Sequence, residues 1–300
     1  MKYSSFEQIA QVCRGKEGLK RVAVAGAADQ HVLQAVIEAH KEGIAEPVLV
    51  GDPERIAEEL SKLGCPADSF ETVPAYSNPE CGQVAVELVK EERADFLMKG
   101  MIETRDIMKP LVDKENGLNT GRTMSMFTYN YVPQMTRLLA LADGGMIPYP
   151  TLEQKKDIVM NCVESLHKLG IERPTVAILC GVEKVNPKMP ETTDAAALVE
   201  MNRKGEIEGC DIYGPISFDI FMDKEIARLK GYDCPCAGDF DCCIVPSMAA
   251  GNLMHKAMII CGGTKMAGVI VGAKVPVVLS SRGASAEEKF VSMALASLLS

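Results

Sequence analysis

Along the first hundred residues, short apolar runs alternate with amphipathic stretches at a regular spacing. Residues 21–25 (RVAVA) form a β-branched run stopped by Gly26. Asp29 is then placed to cap a helix whose apolar positions Val32, Leu33, Val36 and Ile37 follow a 3.6-residue period. Gly43 ends that helix. Residues 47–50 predict the next strand, Gly51-Asp52 a turn, and Pro53 the first turn of a helix that runs to Leu63 and stops at Gly64. A strand over 71–73, a helix capped by Asn78 with Pro79 at its first position, and a strand over 94–98 ending in Lys99-Gly100 continue the series. Strands alternating with helices in this way predict a parallel sheet with helices on both faces.

Residues 118–132 break the rhythm, because NTGRTMSMFTYNY alternates polar and apolar side chains as antiparallel strands do. A strand over 137–142, a turn-rich stretch over 143–150 (DGGMIPYP) and a helix over 152–168 follow. Strands are then expected over 175–180, 210–213, 241–245 and 268–271, and helices over 193–203, 219–230 and 252–260. The strand over 276–279 comes too soon after 268–271 to leave room for a helix, so the chain is expected to cross there from one domain to another. A last helix starts at Ser285. Two α/β domains result: residues 1–136 plus 276–300, and residues 137–275.

Composition narrows the function classes. A chain of 300 residues with 47% hydrophobic and 24% charged residues buries a full core. A formal charge of −9 argues against a nucleic-acid or anionic-membrane surface, so an anionic substrate needs a local cluster of Lys, Arg or helix N-termini. No apolar run approaches the ~20 residues of a membrane span. Residues 1–19 lack the apolar core of a signal peptide, and eleven Cys read as reduced thiols; a cytoplasmic location is expected.

In an open α/β sheet, ligands bind beyond the carboxyl ends of strands. Three places qualify. Residues 276–288 (PVVLSSRGASAEE) deliver Ser281, Arg282 and Gly283 into a loop that opens a helix; the guanidinium offers a donor fork for phosphate and the helix adds free N–H groups. A surface Arg beside an ordinary capped helix reads the same residues equally well. Ser285-Ala286-Glu287-Glu288 has the capping-box pattern, which favours Glu288 as a cap over Glu288 as a general base. Lys99 and Gly100 end a strand just before Thr104. Gly251-Asn252 forms a turn after a buried strand, with Lys256 one helical turn further on the same face as Asn252. Together the three loops suit phosphate. No phosphate-loop, dinucleotide-fingerprint, H-E-x-x-H or G-x-S-x-G pattern occurs. Cys234, Cys236, Cys242 and Cys243 read as small buried hydrophobes, not as a metal set, since Cys242 and Cys243 would face opposite sides of a strand. The four His, at 31, 40, 167 and 255, show no triad or ligand pattern.

These loops, in this order, resemble the phosphate acetyl/butyryltransferase family, and its butyryl branch most. The likeness covers nearly the whole chain: LMKG at 97–100 with Thr104, GLNTGRTMS at 117–125, VNPKMPETTDAA at 185–196, GPISFD at 214–219, AGDFD with VPSMAAGNLMHK up to Lys256, and VGAKVPVVLSSR at 271–282. The resemblance implies an α/β fold of two Rossmann-like three-layer domains with an interdomain cleft, isocitrate/isopropylmalate dehydrogenase-like, and a homo-oligomer (dimer or higher). It implies transfer of a butyryl or other short or branched acyl group between coenzyme A and phosphate, directly in a ternary complex. Coenzyme A enters as substrate, with no tightly bound cofactor or metal.

Carried over by motif, Arg282, Ser281 and Glu288 are catalytic. Lys99, Gly100, Thr104, Ser125, Gly251, Asn252, Lys256 and Gly283 bind phosphate or substrate. The chain departs from the family at Ala249 (Glu in the family), Met126 (His), Asn119 (Arg in the butyryl branch) and Gly283-Ala284 (an acidic residue), while the acetyl branch's later Asp falls at Glu288. Two further readings stay open: a non-catalytic acyl-CoA or phosphate binder, and a dehydrogenase of the related fold.

Overall fold

The computed structural model describes residues 3–16, 18–280 and 284–300. In chain order the elements begin with α1 (Phe6–Arg14), β1 (Lys20–Ala25), α2 (Gln30–Lys41), β2 (Ala45–Gly51), α3 (Pro53–Lys62), β3 (Glu71–Pro74), α4 (Asn78–Lys90), β4 (Phe96–Lys99) and α5 (Thr104–Val112). There follow β5 (Ser125–Tyr131), β6 (Leu139–Ala142), α6 (Leu152–Lys168), β7 (Thr175–Leu179), α7 (Pro190–Arg203), β8 (Asp211–Ile216), α8 (Phe218–Met222) and α9 (Lys224–Leu229). The chain closes with β9 (Cys242–Ile244), α10 (Met248–Gly262), β10 (Lys265–Val271), β11 (Val277–Val278) and α11 (Ala286–Leu299). No helix among the described residues is long and apolar enough to cross a membrane.

The chain divides into two compact units. One comprises Ser5–Arg122 with Met266–Ser300, and its strands run in the order β3-β2-β1-β4-β11-β10. All neighbours there are parallel except β10 and β11, which pair antiparallel. The residues of α11 from Val291 to Leu299 are all buried, as expected of a helix that is apolar all round. It packs on α1 and α2, and Cys13 Sγ donates to the Ala294 carbonyl at 3.2 Å. The caps are local: Asp29 accepts from the Val32 N–H, and Asp52 from the Glu54 and Arg55 N–H groups, each satisfying donors that a helix start leaves unpaired.

The other unit is Thr123–Lys265 with Tyr3 and Ser4, and its strands run β5-β6-β9-β7-β8. β5 and β6 are antiparallel, and the rest are parallel. Its core gathers Leu139, Leu141, Ile216, Phe221, Phe240 and Val245. Cys242 and Cys243 are both fully buried in β9.

Several expectations change. The units divide at 122/123 and 265/266 instead of 136/137 and 275/276, because β5 pairs with β6 and β10 with β11. Ser77, not Asn78, caps α4, its Oγ accepting from the Glu80 N–H. The helix expected over 219–230 is two short ones, since Asp223 turns out of helical geometry and caps the second. The first helix, α1, went unread; its apolar face (Ile9, Ala10, Cys13) is buried, and three residues are too few to stand out among charged neighbours.

Candidate active site

In the first unit the candidate residues sit at the carboxyl end of β4. Gly100 is set by close backbone approach: its N–H donates to the Ala25 carbonyl at 2.9 Å, and an added Cβ would fall 2.3 Å from the Gly26 carbonyl oxygen. Lys99 follows the strand inward and is 5% exposed. Its Nζ donates to the carbonyls of Gly100 (3.2 Å) and Ile102 (3.1 Å), so a buried ammonium is held by backbone dipoles that close the loop leading to α5. Thr104 opens α5 and is exposed, and Glu103 before it makes no side-chain cap, which leaves the helix's first N–H groups beside Thr104 without a capping side chain.

The GLNTG stretch returns to this unit: Thr120 Oγ1 donates to the Gly272 carbonyl at 2.6 Å, and the Lys274 N–H to the Leu118 carbonyl at 2.9 Å. Ser281, Arg282 and Gly283 lie outside the described residues. Beyond them Ser285 caps α11, accepting from the Glu288 N–H at 3.1 Å. The Glu288 side chain is half-buried, and burial raises its pKa against the lowering influence of Lys289. Its carboxylate takes no hydrogen bond from a described residue, so only one half of the expected capping box is formed there.

In the second unit the organiser is Asp143, at the start of the turn-rich stretch. Its buried carboxylate accepts N–H bonds from Met126 (3.1 Å), Gly145 (2.9 Å), Met146 (2.9 Å) and Ile147 (2.8 Å). Burial raises its pKa, and those four donors pull it the other way. Gly144 passes so close to α10 that a Cβ on Gly251 would lie 2.8 Å from its Cα. Gly251 and Asn252 belong to the first turns of α10, which starts at Met248 under a Ser247 cap, and not to a turn ahead of the helix. Asn252 and Lys256 are exposed.

Ser125, expected to contact substrate, has no exposed surface, and its Oγ accepts from Asn161 Nδ2 at 3.0 Å. It ties β5 to α6. His255, which the sequence left without a role, is buried between Thr128 and Asn130: its Nε2 lies 3.1 Å from Thr128 Oγ1 and 2.8 Å from Asn130 Oδ1. Burial lowers its pKa to about 4. Thr128 and Asn130 share one strand face, which the alternation did reveal; their meeting with a helix 125 residues later it did not. Among the described residues no His/Cys/Asp/Glu group has the arrangement of a metal site.

The structure therefore assembles Lys99, Gly100 and Thr104 in one unit, and Gly251, Asn252 and Lys256 with the unforeseen Asp143 and His255 in the other. The first unit offers a buried ammonium and a helix start without a capping side chain, and the second a buried carboxylate and imidazole, each beside glycines that admit close backbone approach. Comparison with known proteins identifies the family. The family described as phosphate acetyl/butaryl transferase matches residues 4–87 and 82–297. The phosphate acetyltransferase of Thermotoga maritima is 42% identical over 98% of this chain and 99% of its own length. The phosphate butyryltransferase of Clostridium acetobutylicum is 42% identical over 98% of each. A branched-chain phosphotransacylase from Enterococcus faecalis superposes with a TM-score of 0.83 at 30% identity, covering 94% of this chain and 99% of that one. The chain belongs to the phosphate acetyl/butyryl transferase family.

Proposed function

We propose that the protein transfers an acyl group between coenzyme A and inorganic phosphate, with butyryl or another short or branched acyl group as its substrate. The observation that carries this reading is equal identity, 42% over 98% of the chain, to an acetyltransferase and a butyryltransferase of the family. A phosphate oxygen adds to the thioester carbonyl, the tetrahedral intermediate collapses, the C–S bond breaks and the sulfur leaves as thiolate. Coenzyme A's thiol titrates near ~8.5, so a modest positive field is enough to favour that leaving form. Arg282 holds the phosphoryl group and offsets its charge, Ser281 and Thr104 donate to it, and Lys99 fixes the loop that leads to Thr104. N–H groups at the start of α5, which no side chain caps, are donors available to an oxyanion. No covalent acyl-protein is required. Glu288, half-buried with a raised pKa, is the carboxyl assigned to proton transfer.

The same reading includes a homo-oligomer and a cytoplasmic location. Leu253 and Ile260 on α10, 71% and 80% exposed, support the first. Eleven cysteines, all free, support the second.

The test is thiol release from acetyl-, butyryl- and isobutyryl-CoA with and without phosphate. Release that depends on phosphate and favours one of the two longer chains is expected. Release that ignores phosphate, or none with any of the three, overturns the proposal.

A further inference from the structure

The first unit has the local order in which open α/β sheets seat an adenosine. Its strands run β3-β2-β1-β4, a glycine turn follows the first strand, and an acidic residue at the end of the second is placed to take a ribose hydroxyl. Gly26 makes that turn, at φ +75° and with a Cβ barred by Ile102. Asp52 follows β2 directly. Its Oδ1 accepts the Glu54 and Arg55 N–H groups, and no described residue donates to its Oδ2.

Around these two residues lies a surface pocket of about 120 Å³, lined also by Gly51, Arg55, Tyr76 and Met101. That volume is far below the ~300–1,000 Å³ of a site enclosing a whole small ligand, so the pocket suits one end of a longer molecule. Tyr76 is 72% exposed, and neither its ring nor the Arg55 guanidinium has a partner among the described residues. Glu80 accepts the Tyr76 N–H at 2.7 Å and so fixes the backbone that carries the ring. Met101 forms the side towards β4. Its N–H donates to the Gly26 carbonyl at 2.8 Å, and Lys99 Nζ holds the carbonyls of Gly100 and Ile102 on either side of it. The pocket and the Lys99 loop therefore share one rim of the same unit, with β2 two strand spacings (about 10 Å) from β4. The turn after β1 offers little to a dinucleotide's diphosphate, because the Gly26 and Ala27 N–H groups both donate to the Val50 carbonyl, at 2.9 and 3.0 Å.

We propose that this pocket binds the 3′-phosphoadenosine end of coenzyme A: Tyr76 stacks on the adenine, Asp52 Oδ2 accepts the ribose 2′-hydroxyl, and the Arg55 guanidinium pairs with the 3′-phosphate. The choice of nucleotide rests on the acyl transfer proposed above. The 3′-phosphate separates coenzyme A from nucleotides with free ribose hydroxyls. Arg55, three residues past Asp52 and so on the same face of α3, is the group that reads it, by a donor fork that matches phosphate. The pantetheine arm then follows the rim to the Lys99 loop.

Adenosine 3′,5′-bisphosphate is the probe, titrated calorimetrically into the full chain beside adenosine 5′-monophosphate. Wild type is expected to prefer the bisphosphate about tenfold, Arg55→Ala to erase that preference, and Arg55→Lys to restore part of it. Tyr76→Ala should weaken both nucleotides alike. In thiol-release assays each alanine variant should raise KM for butyryl-CoA about tenfold and leave kcat and the KM for phosphate within about twofold. Both side chains are exposed, so melting temperatures should match wild type. A wild type that binds the two nucleotides equally, or R55A with its preference intact, overturns the proposal. A wild type that releases no thiol with phosphate yet binds the bisphosphate through Arg55 defeats the acyl transfer and leaves the pocket standing. An active wild type whose KM for butyryl-CoA ignores both substitutions defeats the pocket alone.

Discussion

The β4–α5 end of the first unit and the β5–β6–α10 corner of the second both crowd polar groups against glycine, yet they are built from opposite materials. Around Lys99 the chemistry is charge held by backbone: a buried ammonium on two carbonyls, with Gly100 seated on the Gly26 loop. Around His255 it is side chains holding side chains, with neutral Thr128 and Asn130 fixing a neutral ring. The first arrangement supplies field and tolerates an anion. The second supplies direction, because side chains that hold one another fix the ring in one orientation.

If charge is the larger contribution, removing a cation costs more than any change in the neutral network. Arg282→Ala is expected to lower turnover by ~10²–10³, the scale for losing one electrostatic stabiliser. Thiol release measured at saturating phosphate checks it, and turnover within a few-fold of wild type would take Arg282 out of the mechanism.

The neutral network shows itself instead in pH. The unfolded chain protonates a histidine near 6.5, and the folded ring only near about 4. Stability from keeping this ring neutral is therefore complete above 6.5 and drains away as pH falls towards 4, a loss of about 3 kcal/mol at 1.36 kcal/mol per unit. Asp143 and Glu288 shift the other way, so their contribution is present below the unfolded carboxyl pKa and lost as pH rises through the folded one. Urea unfolding of wild type and H255Q at pH 7 and pH 4.5 isolates the His255 share, since the carboxylates are common to both. Equal slopes against pH in the two proteins would show that the ring titrates normally.

What was legible in the sequence follows the same division. Strand-end loops such as Met98-Lys99-Gly100 announce themselves because apolar run, cation and glycine are contiguous. The alternating order from β1 to β4 was equally plain, since α2, α3 and α4 each carry a cap and an apolar period. The His255 corner was not legible, because its members lie on β5, β6 and α10 and nothing local marks His255 as different from a surface histidine. Asp143 hid for a related reason: in DGGMIP it looks like a turn former, and its grip on the Met126 N–H is a tertiary fact. Capping-box spacing at Ser285 misled in the opposite sense, since the Ser half forms while the Glu288 carboxylate takes no hydrogen bond from a described residue.

Glycine substitutions sharpen the contrast at moderate cost. A methyl on Gly100 would sit 2.3 Å from the Gly26 carbonyl oxygen and 2.9 Å from that of Ala25, both backbone atoms with little room to move. A methyl on Gly251 would meet Val245 Cγ2 at 2.7 Å and Gly144 Cα at 2.8 Å, so only one of its two nearest neighbours is backbone. Both fall within the ~1–3 kcal/mol typical of overpacking, with Gly100→Ala expected at the upper end and Gly251→Ala at the lower. Melting temperatures rank them; the reverse order would mean that the Lys99 loop is the softer of the two regions.

Ser125→Ala gives the smallest effect and the cleanest decision. The hydroxyl is fully buried and accepts from Asn161 Nδ2, which also donates to the Thr123 carbonyl at 2.8 Å. Removing it leaves Asn161 one partner short without opening a large cavity, so a loss of about 1 kcal/mol in stability is expected, the usual net worth of such a bond. Turnover should remain within about twofold of wild type, because no reactant can reach a hydroxyl enclosed between β5 and α6. A tenfold fall in kcat with an unchanged melting temperature would show that β5 opens during the reaction and that Ser125 meets the substrate after all. In that case the neutral corner would be a working surface in its own right, and its difference from the Lys99 loop would be one of timing and not of material.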